Sequence, residues 1–336
     1  MDRMNRRCHF IKRPTGMPED ECFEWRDEPI PDLQDGEFLI ENEYFSFEAS
    51  MRTWMNEGPN YMPPIRIGEV MRGPTMGIVR ESRNGDFPEG LRVMGMHGWE
   101  RYSIAASGPF EQVIPDVPGV SPTLFMGVLG LVGMTAYFGI EDICVPGQGE
   151  TLLVSGAAGA VGSVAVQLGK IRGARVVGIA GADDKCGWLR EVCGVDATIN
   201  YRAGNLRDAI GAACPDGIDA YFDNVGGETL DAALWHMNDK GRIACCGTIA
   251  GYNDSDAPSP PVHNLWLVVI RQLQMQGFLV SDYFDRFGEA GEKLMGWVRS
   301  GQLGHREHII EGLEKAPEAL RTLLSGGNRG KTLLRI

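Results

Sequence analysis

The sequence predicts an α/β fold, with a small all-β part followed by a doubly wound parallel sheet. Three observations support this prediction. Residues 37–44 and 77–80 read as short alternating strands. From about residue 126 apolar runs alternate with helical segments, which is typical of a parallel sheet with helices on both faces. The glycine-rich stretch SGAAGAVGS at 155–163 lies between the first of these runs and its helix.

The remaining elements follow in chain order from apolar runs and helical periods. A proline-rich stretch at 115–122 ends the all-β part. The second part then contains strand 151–154, helix 160–172, strand 175–180, helix 185–193, strand 197–201, strand 218–223 and strand 242–246. Near the C-terminus Leu320, Leu323 and Leu324 share one face of a helix, and 331–336 predict a last strand.

One long apolar run could be mistaken for a membrane span. Residues 124–140 form 17 consecutive residues without a charge, just short of a comfortable span. Gly127, Gly130 and Gly133 recur every three residues, a spacing that permits close backbone packing along one helix face. We therefore expect a buried helix in a protein core.

Composition narrows the class of protein. The 336 residues, 43% hydrophobic and 23% charged, are typical of a globular protein of about two domains. A net charge of -13 argues against nucleic acid as a partner. The eight cysteines include no C-x-x-C pair and no Cys/His cluster at zinc-ligand spacing. We expect reduced thiols, no metal site and a cytoplasmic location.

The glycine-rich stretch is similar to the turn that binds a dinucleotide pyrophosphate, G-x-G-x-x-G between a strand and a helix. Ala157 occupies the first glycine position, while Gly159 and Gly162 occupy the second and third. A glycine turn without a ligand is the alternative, but the strand before and the helix after favour nucleotide binding. Gly159 would let the backbone approach the phosphates, and Gly162 would let helix and strand pack closely.

The second strand indicates the type of nucleotide. NAD sites usually place a carboxylate at the end of this strand to bind the ribose 2′-hydroxyl. Here the strand ends without one, and Asp183 and Asp184 come later, where we expect them to cap a helix. Lys185 follows and could bind a 2′-phosphate, although a solvated helix residue is the alternative. The sequence therefore predicts NADPH rather than NADH.

Several short motifs in order resemble those of zinc-free medium-chain dehydrogenases/reductases. The resemblance is to the group of prostaglandin/leukotriene B4 reductases, alkenal double-bond reductases and curcumin reductase-like enzymes. The motifs are RPTG at 13–16, GEVMRG at 68–73, GMTAY at 133–137, AAGAVG at 157–162, YFDNVGG at 221–227, CGTI at 246–249 and GGNRGK at 326–331. The resemblance implies a GroES-like β-barrel substrate domain at 1–125 and 300–336, a Rossmann domain at 126–299, NADPH in the cleft and a homodimer.

The resemblance also implies site residues. At the glycine-rich turn, Gly159, Ala160, Val161 and Gly162 would contact the pyrophosphate, and Lys185 would contact the 2′-phosphate. Further cofactor contacts would come from Tyr201, Asn224, Cys246, Gly247, Thr248, Ile249, Tyr252, Phe278, Leu279, Val280 and Asn328. Residues 49–50 and 250–251 depart from the family pattern, which bears on substrate specificity more than on reaction type.

The implied reaction is reduction of the C=C bond of α,β-unsaturated aldehydes and ketones. The conjugated carbonyl already polarises the β-carbon for hydride addition, so no Lewis acid is required. Tyr252 is the candidate catalytic donor to the developing enolate oxygen, since an ordinary phenol keeps its proton at neutral pH; packing on the nicotinamide is its alternative role. Arg52, Tyr61 and Tyr283 are weaker substrate-pocket candidates, and a structural tyrosine or a surface arginine is the favoured alternative for each. The alternative functions are a zinc-free NADPH quinone reductase and a non-catalytic NADPH-binding sensor.

Overall fold

A computed structural model describes residues 3–254 and 261–336. The described residues group into two compact units. The β unit lies within Met1–Met126, Tyr252–Asp256 and Glu307–Ile336, and the α/β unit within Gly127–Gly251 and Ala257–Arg306. Strands and helices alternate in the second unit, so the predicted α/β class is confirmed.

The β unit begins with seven strands and one short helix. They are β1 (Met4–Phe10), β2 (Phe23–Pro29), β3 (Glu37–Ser46), α1 (Met51–Trp54), β4 (Arg72–Ser82), β5 (Arg92–Gly98), β6 (Tyr102–Ala106) and β7 (Gln112–Val113). Strands β1 and β2 pair antiparallel as a separate two-stranded sheet. The predicted strands at 37–44 and 77–80 fall within β3 and β4.

The α/β unit continues the chain. Its elements are α2 (Leu131–Phe138), β8 (Thr151–Val154), α3 (Ala160–Ile171), β9 (Arg175–Ala180), α4 (Asp183–Glu191), β10 (Ala197–Asn200), α5 (Leu206–Ala213), β11 (Ile218–Asp223), α6 (Gly227–Leu234), β12 (Met237–Cys245), α7 (Trp266–Ile270), β13 (Gln274–Gly277) and α8 (Phe287–Ser300). The strand order is β10-β9-β8-β11-β12-β13, all parallel. This is the doubly wound arrangement, and its topological switch point lies between β8 and β11.

The last three elements return to the β unit. They are β14 (Glu307–Glu311), α9 (Ala316–Leu324) and β15 (Lys331–Arg335). Strand β15 pairs antiparallel with β3, with Leu334 opposite Phe45, and parallel with β14. The seven-stranded sheet follows the order β14-β15-β3-β4-β5-β7, with β6 also on β3. This sheet is therefore built from both ends of the chain.

Each unit has its own apolar core. In the β unit, Trp99, Phe47 and Leu320 are fully buried in one cluster. In the α/β unit, the sheet residues Leu153 and Val177 are buried against the helices. Burying a large apolar side chain is worth roughly 1.5–3 kcal/mol, so these clusters hold the strands in register.

The apolar run at 124–140 is not the single buried helix that the sequence predicts. It divides into a 3₁₀ turn at Pro122–Met126, the eight-residue α2, and a π-helical turn at Gly139–Cys144. The backbone packs closely where α2 begins, since a side chain at Gly133 would collide with the carbonyl of Val128. Most of α2 is buried, as expected. Among the described residues, no helix is long and apolar enough to cross a membrane.

Candidate functional site

The glycine-rich turn connects β8 to α3 at the switch point. Gly156 has a φ of +58°, in the left-handed region that favours glycine. Ala157 has no such requirement, and its N–H donates to the Ile179 carbonyl at 2.9 Å. The tight turn thus comes from Gly156, one residue before Ala157, which occupies the first glycine position of the fingerprint. This explains how the turn tolerates alanine at 157.

The other two glycines bring backbone close together. A Cβ on Gly162 would collide with the Gly156 carbonyl and lie 2.8 Å from the Ala157 Cα. Gly159 is the N-cap of α3 and offers no side chain to cap its first turn. The first N–H groups of a helix lack intrahelical acceptors and attract anions. The residues present here therefore fit a dinucleotide pyrophosphate.

A second group of predicted residues meets at the ends of β9 and β10. Tyr201 follows β10, and a Cβ on Gly181 would lie 2.8 Å from its ring. Lys185 lies in the first turn of α4, which begins at Asp183. The structure thus brings Lys185 and Tyr201 to the same edge of the sheet, beside the turn after β9.

The predicted capping role of Asp183 and Asp184 is wrong. The N-cap of α4 is Ala182, whose side chain makes no capping hydrogen bond. Asp183 occupies the first helical position, and its carboxylate accepts a 2.7 Å hydrogen bond from the Asn200 side chain.

A buried carboxylate organises the end of β11. Asp223 is 1% exposed, and its Oδ1 accepts four hydrogen bonds of 2.7–3.0 Å. The donors are the hydroxyls of Ser155 and Tyr221 and the backbone N–H groups of Val225 and Gly226. Because Ser155 begins the glycine turn, Asp223 ties that turn to the loop that follows β11.

The loops after β11 and β12 are joined by backbone hydrogen bonds. The Asp223 carbonyl accepts from the N–H groups of Cys246 and Gly247, at 2.8 and 3.1 Å. The Asn224 side chain donates to the Ser155 carbonyl at 2.7 Å, and the Asn224 carbonyl accepts from Ile249. Asn224 and the segment 246–249, predicted from the family resemblance, therefore lie together beside the glycine turn.

The thiol of Cys246 is protonated near neutral pH. Burial raises the pKa of Cys246 to about 12, with further contributions from the nearby Asp223 charge and from Cys245 and Cys144. A protonated thiol is a weak nucleophile. Cys246 therefore shapes the loop rather than supplying a reactive group.

The segment after β13 carries an aromatic cluster. Phe278 packs edge-on against Phe222 and Tyr283, with ring centroids 6.3 and 6.5 Å apart. Tyr283 in turn stacks on Phe138 at 4.3 Å. Leu279 is exposed, and Val280 begins the 3₁₀ turn Val280–Arg286. Tyr283 is thus part of a ring cluster within the α/β unit.

The other predicted residues belong to the β unit. Arg52 is fully buried, and its guanidinium donates to the Gly16 carbonyl at 2.9 Å and to Asn56 Oδ1 at 2.6 Å. Tyr61 is exposed and packs edge-on against Trp54. Asn328 is buried and donates to the Gly330 carbonyl. Tyr252 directly follows the 3₁₀ turn Ile249–Gly251. The contacts of Arg52 support a role in holding the loop at 14–16.

Sequence reasoning missed two side chains of these loops as site residues, Asp223 and Ser155. The available signal was a carboxylate as the last residue of a largely buried strand, IDAYFD at 218–223, where a buried position requires it to be hydrogen-bonded. Within residues 3–254 and 261–336, no group of three or more His, Cys, Asp or Glu side chains has an arrangement that could hold a metal ion.

Comparisons with known proteins identify the family. Residues 6–113 match the N-terminal domain of oxidoreductase, and residues 160–295 match the domain described as zinc-binding dehydrogenase. The chain is 38% identical to NADPH-dependent curcumin reductase of Escherichia coli, over 99% of this chain and 97% of that protein. It is 38% identical to 2-alkenal reductase (NADP(+)-dependent) of Nicotiana tabacum, over 96% and 94%.

A solved structure is similar to this chain over nearly the full length of both. The crystal structure of CurA in complex with NADPH from Vibrio vulnificus superposes with a TM-score of 0.93 and 36% identity, covering 98% of each chain. Together with the paired strand-end loops of the α/β unit, these similarities establish the family. The chain belongs to the medium-chain dehydrogenase/reductase family of NADP-dependent oxidoreductases, in the group that includes prostaglandin, curcumin and 2-alkenal reductases.

Proposed function

We propose that this protein uses NADPH to reduce the C=C bond of α,β-unsaturated aldehydes and ketones. The observation that carries the proposal is the Asp223 network, which joins the glycine turn to Asn224 and the 246–247 backbone at the strand ends. The proposed substrate class is supported by the name of the 2-alkenal reductase relative.

In this proposal the α/β unit binds the pyrophosphate and the 2′-phosphate of the cofactor. The N–H groups at the start of α3, in Ala160, Val161 and Gly162, bind the pyrophosphate. Lys185 and Tyr201 bind the 2′-phosphate. When bound, NADPH supplies a hydride for the substrate's β-carbon. The residues proposed for the nicotinamide end are Asn224, Cys246, Gly247, Thr248, Ile249, Tyr252, Phe278, Leu279, Val280 and Asn328.

Tyr252 is proposed to donate a hydrogen bond to the substrate carbonyl as negative charge builds on its oxygen. One oriented donor to such an oxyanion is worth roughly 3–4 kcal/mol, or about 10²–10³ in rate. The support is its sequence position, directly after the loop that the Asp223 carbonyl holds. Arg52, Tyr61 and Tyr283 stay weaker candidates for substrate recognition.

The proposed activity is tested by following NADPH oxidation with a 2-alkenal, an aryl enone and a quinone, with NADH in parallel. We expect saturation of the alkenal or the enone, identified by mass spectrometry of the product. Turnover of the quinone alone would instead indicate a quinone reductase. Tight NADPH binding without turnover of any acceptor would indicate a sensor.

We further propose that two copies associate through the β13 edge of the α/β unit. Strand β13 is exposed along its whole length and is the last strand of the described sheet. Beside it, Leu265, Trp266 and Ile270 are half exposed and Val269 is 76% exposed. A second copy can pair its own β13 antiparallel across a two-fold axis and cover both apolar surfaces.

Sedimentation velocity tests this association. We expect a dimer for the wild type and a monomer for Val269→Glu. Val113→Glu, an exposed position in the β unit, is the matched control and should stay dimeric. A wild-type monomer at micromolar concentration would refute the proposal. A cytoplasmic location stays a prediction from the reduced cysteines.

A further inference from the structure

We propose that Asn200 sets the preference for NADPH over NADH by holding the Asp183 carboxylate away from the 2′-phosphate and positioning the turn that carries Tyr201 and Arg202. This inference rests on the proposed cofactor site. Asn200 is the last residue of β10 and pairs in register with Ala180, the last residue of β9. It therefore lies beside the turn at which nucleotide-binding sheets distinguish the two cofactors.

Asn200 uses both ends of its side-chain amide. Its Nδ2 donates to Asp183 Oδ1 at 2.7 Å, and its Oδ1 accepts from the Arg202 N–H at 3.1 Å. The carboxylate can only accept and the N–H can only donate, so the two partners fix which way the amide faces. One side chain thus links the start of α4 to the turn after β10.

The carboxylate of Asp183 would otherwise disfavour NADPH. A carboxylate near the end of the second strand suits a ribose 2′-hydroxyl, to which it can accept a hydrogen bond. The same negative charge repels a phosphate that carries about −1.5 to −2 at neutral pH. The hydrogen bond from Asn200 holds the Asp183 carboxylate toward β10. The nearby positive side chains then dominate the electrostatic potential at the proposed 2′-phosphate position.

The turn that Asn200 holds carries one positive group, the Arg202 guanidinium, next to Tyr201. The Arg202 guanidinium carbon lies 5.5 Å from the centroid of the Tyr201 ring, a cation–π arrangement that restrains an exposed side chain. The Tyr201 ring itself rests against Gly181, where any side chain would collide with it. A phenol hydroxyl and a guanidinium are therefore presented together, which suits recognition of a phosphate.

Binding of cofactor fragments tests the inference without turnover. The probes are 2′,5′-ADP, which carries the 2′-phosphate, and 5′-AMP, which lacks it, each titrated by calorimetry. We expect Asn200→Ala to weaken 2′,5′-ADP about tenfold, a loss of about 1.4 kcal/mol, and to leave 5′-AMP unchanged. The double variant Asn200→Ala with Asp183→Ala should recover affinity for 2′,5′-ADP to within about threefold of wild type.

Two further variants distinguish a specific effect on 2′,5′-ADP binding from a general effect on the protein. Asn205→Ala removes another asparagine, one that caps α5 through Asp208 and does not contact Asp183. It should change neither affinity. Arg202→Ala should weaken 2′,5′-ADP alone, and it tests the positive group independently if Asn200→Ala does not fold.

Equal weakening of both fragments, or no rescue by Asp183→Ala, would overturn the role of Asn200. Failure of wild-type protein to prefer 2′,5′-ADP would instead refute the cofactor site on which the inference rests. Absence of enone reduction with normal fragment binding would refute only the proposed reaction.

Discussion

The hydroxyl of Tyr221 donates a 2.7 Å hydrogen bond to the carboxylate of Asp223, two residues further along the same strand. Alternate residues of a strand point to the same face, so both side chains lie on one side of the sheet. Burial, together with the adjacent Asp223 charge, raises the pKa of Tyr221 well above its ordinary value, which keeps the phenol protonated as a donor. This pair anchors the loop that the cofactor is proposed to contact.

The Asp223 network predicts that Asp223 contributes both to the stability of the protein and to its affinity for NADPH. Asp223→Asn replaces a charged acceptor that serves four donors by a neutral one, and should lower the free energy of unfolding by about 1 kcal/mol for each of these hydrogen bonds. It should also raise the Kd for NADPH at least tenfold, because the loop after β11 loses its anchor.

Tyr221→Phe is the matched control for that change. It removes a single donor and should lower the free energy of unfolding by about 1.5–3 kcal/mol, with the Kd for NADPH within threefold of wild type. Urea unfolding and fluorescence titration measure the two quantities. Equal NADPH affinities in the wild type and Asp223→Asn would contradict the anchoring role.

The glycine turn predicts a strict requirement at position 162. Gly162→Ala should destabilise the protein by about 1–3 kcal/mol, because the added methyl overpacks the turn against the Gly156 carbonyl. Affinity for NADPH should fall by at least a factor of ten. Gly296→Ala is the control, since Gly296 lies in the exposed part of α8 with open space around it.

That control should stabilise the protein by about 0.5–1 kcal/mol through the higher helix propensity of alanine. Thermal unfolding with and without NADPH distinguishes the two glycine variants. The requirement at 162 would be disproved by a Gly162→Ala protein with wild-type melting temperature and affinity.

The proposed role of Tyr252 predicts a change in kcat without a change in cofactor affinity. Tyr252→Phe should lower kcat by about 10²–10³ and leave the Kd for NADPH within threefold. Tyr102→Phe, in the β unit, should leave both unchanged; its hydroxyl makes one long 3.4 Å hydrogen bond to Glu41. A Tyr252→Phe enzyme with full kcat would remove Tyr252 from the mechanism.

The buried cysteines predict a loss of stability at alkaline pH. Burial raises the pKa of Cys193 to about 12 and that of Cys214 to about 11. In the unfolded chain a thiol ionises near pH 8.5. Above about pH 8.5 the unfolded state therefore binds fewer protons than the folded state, and the free energy of unfolding falls by up to about 1.4 kcal/mol per pH unit for each thiol.

Urea unfolding between about pH 7 and pH 10.5 measures this slope. The double variant Cys193→Ala and Cys214→Ala should show a slope that is shallower by roughly 2 kcal/mol per pH unit. Parallel curves for the variant and the wild type would mean that these thiols do not set the alkaline limit.

The sequence by itself determined where several of the parallel strands lie along the chain and the position of the glycine turn. Strands buried on both faces read as largely apolar runs, so 151–154, 175–180 and 218–223 were predicted within a residue. Strand β13 was missed, because an exposed edge strand reading Gln274-Met275-Gln276-Gly277 carries no apolar run. Apolar periodicity in a sequence shows which residues are buried, so an exposed strand has no such periodicity by which it could be predicted.

Only the tertiary structure decided which polar side chains meet. Ser155 and Asp223 are 68 residues apart in sequence, and Asn200 and Asp183 are 17 apart, yet each pair is hydrogen-bonded. Likewise, the left-handed residue of the turn is Gly156 rather than its neighbour Ala157. Side-chain hydrogen bonds depend on atoms placed within about 3 Å of each other. That placement follows from the pairing of distant strands, whereas periodicity within one segment specifies only the faces of that segment.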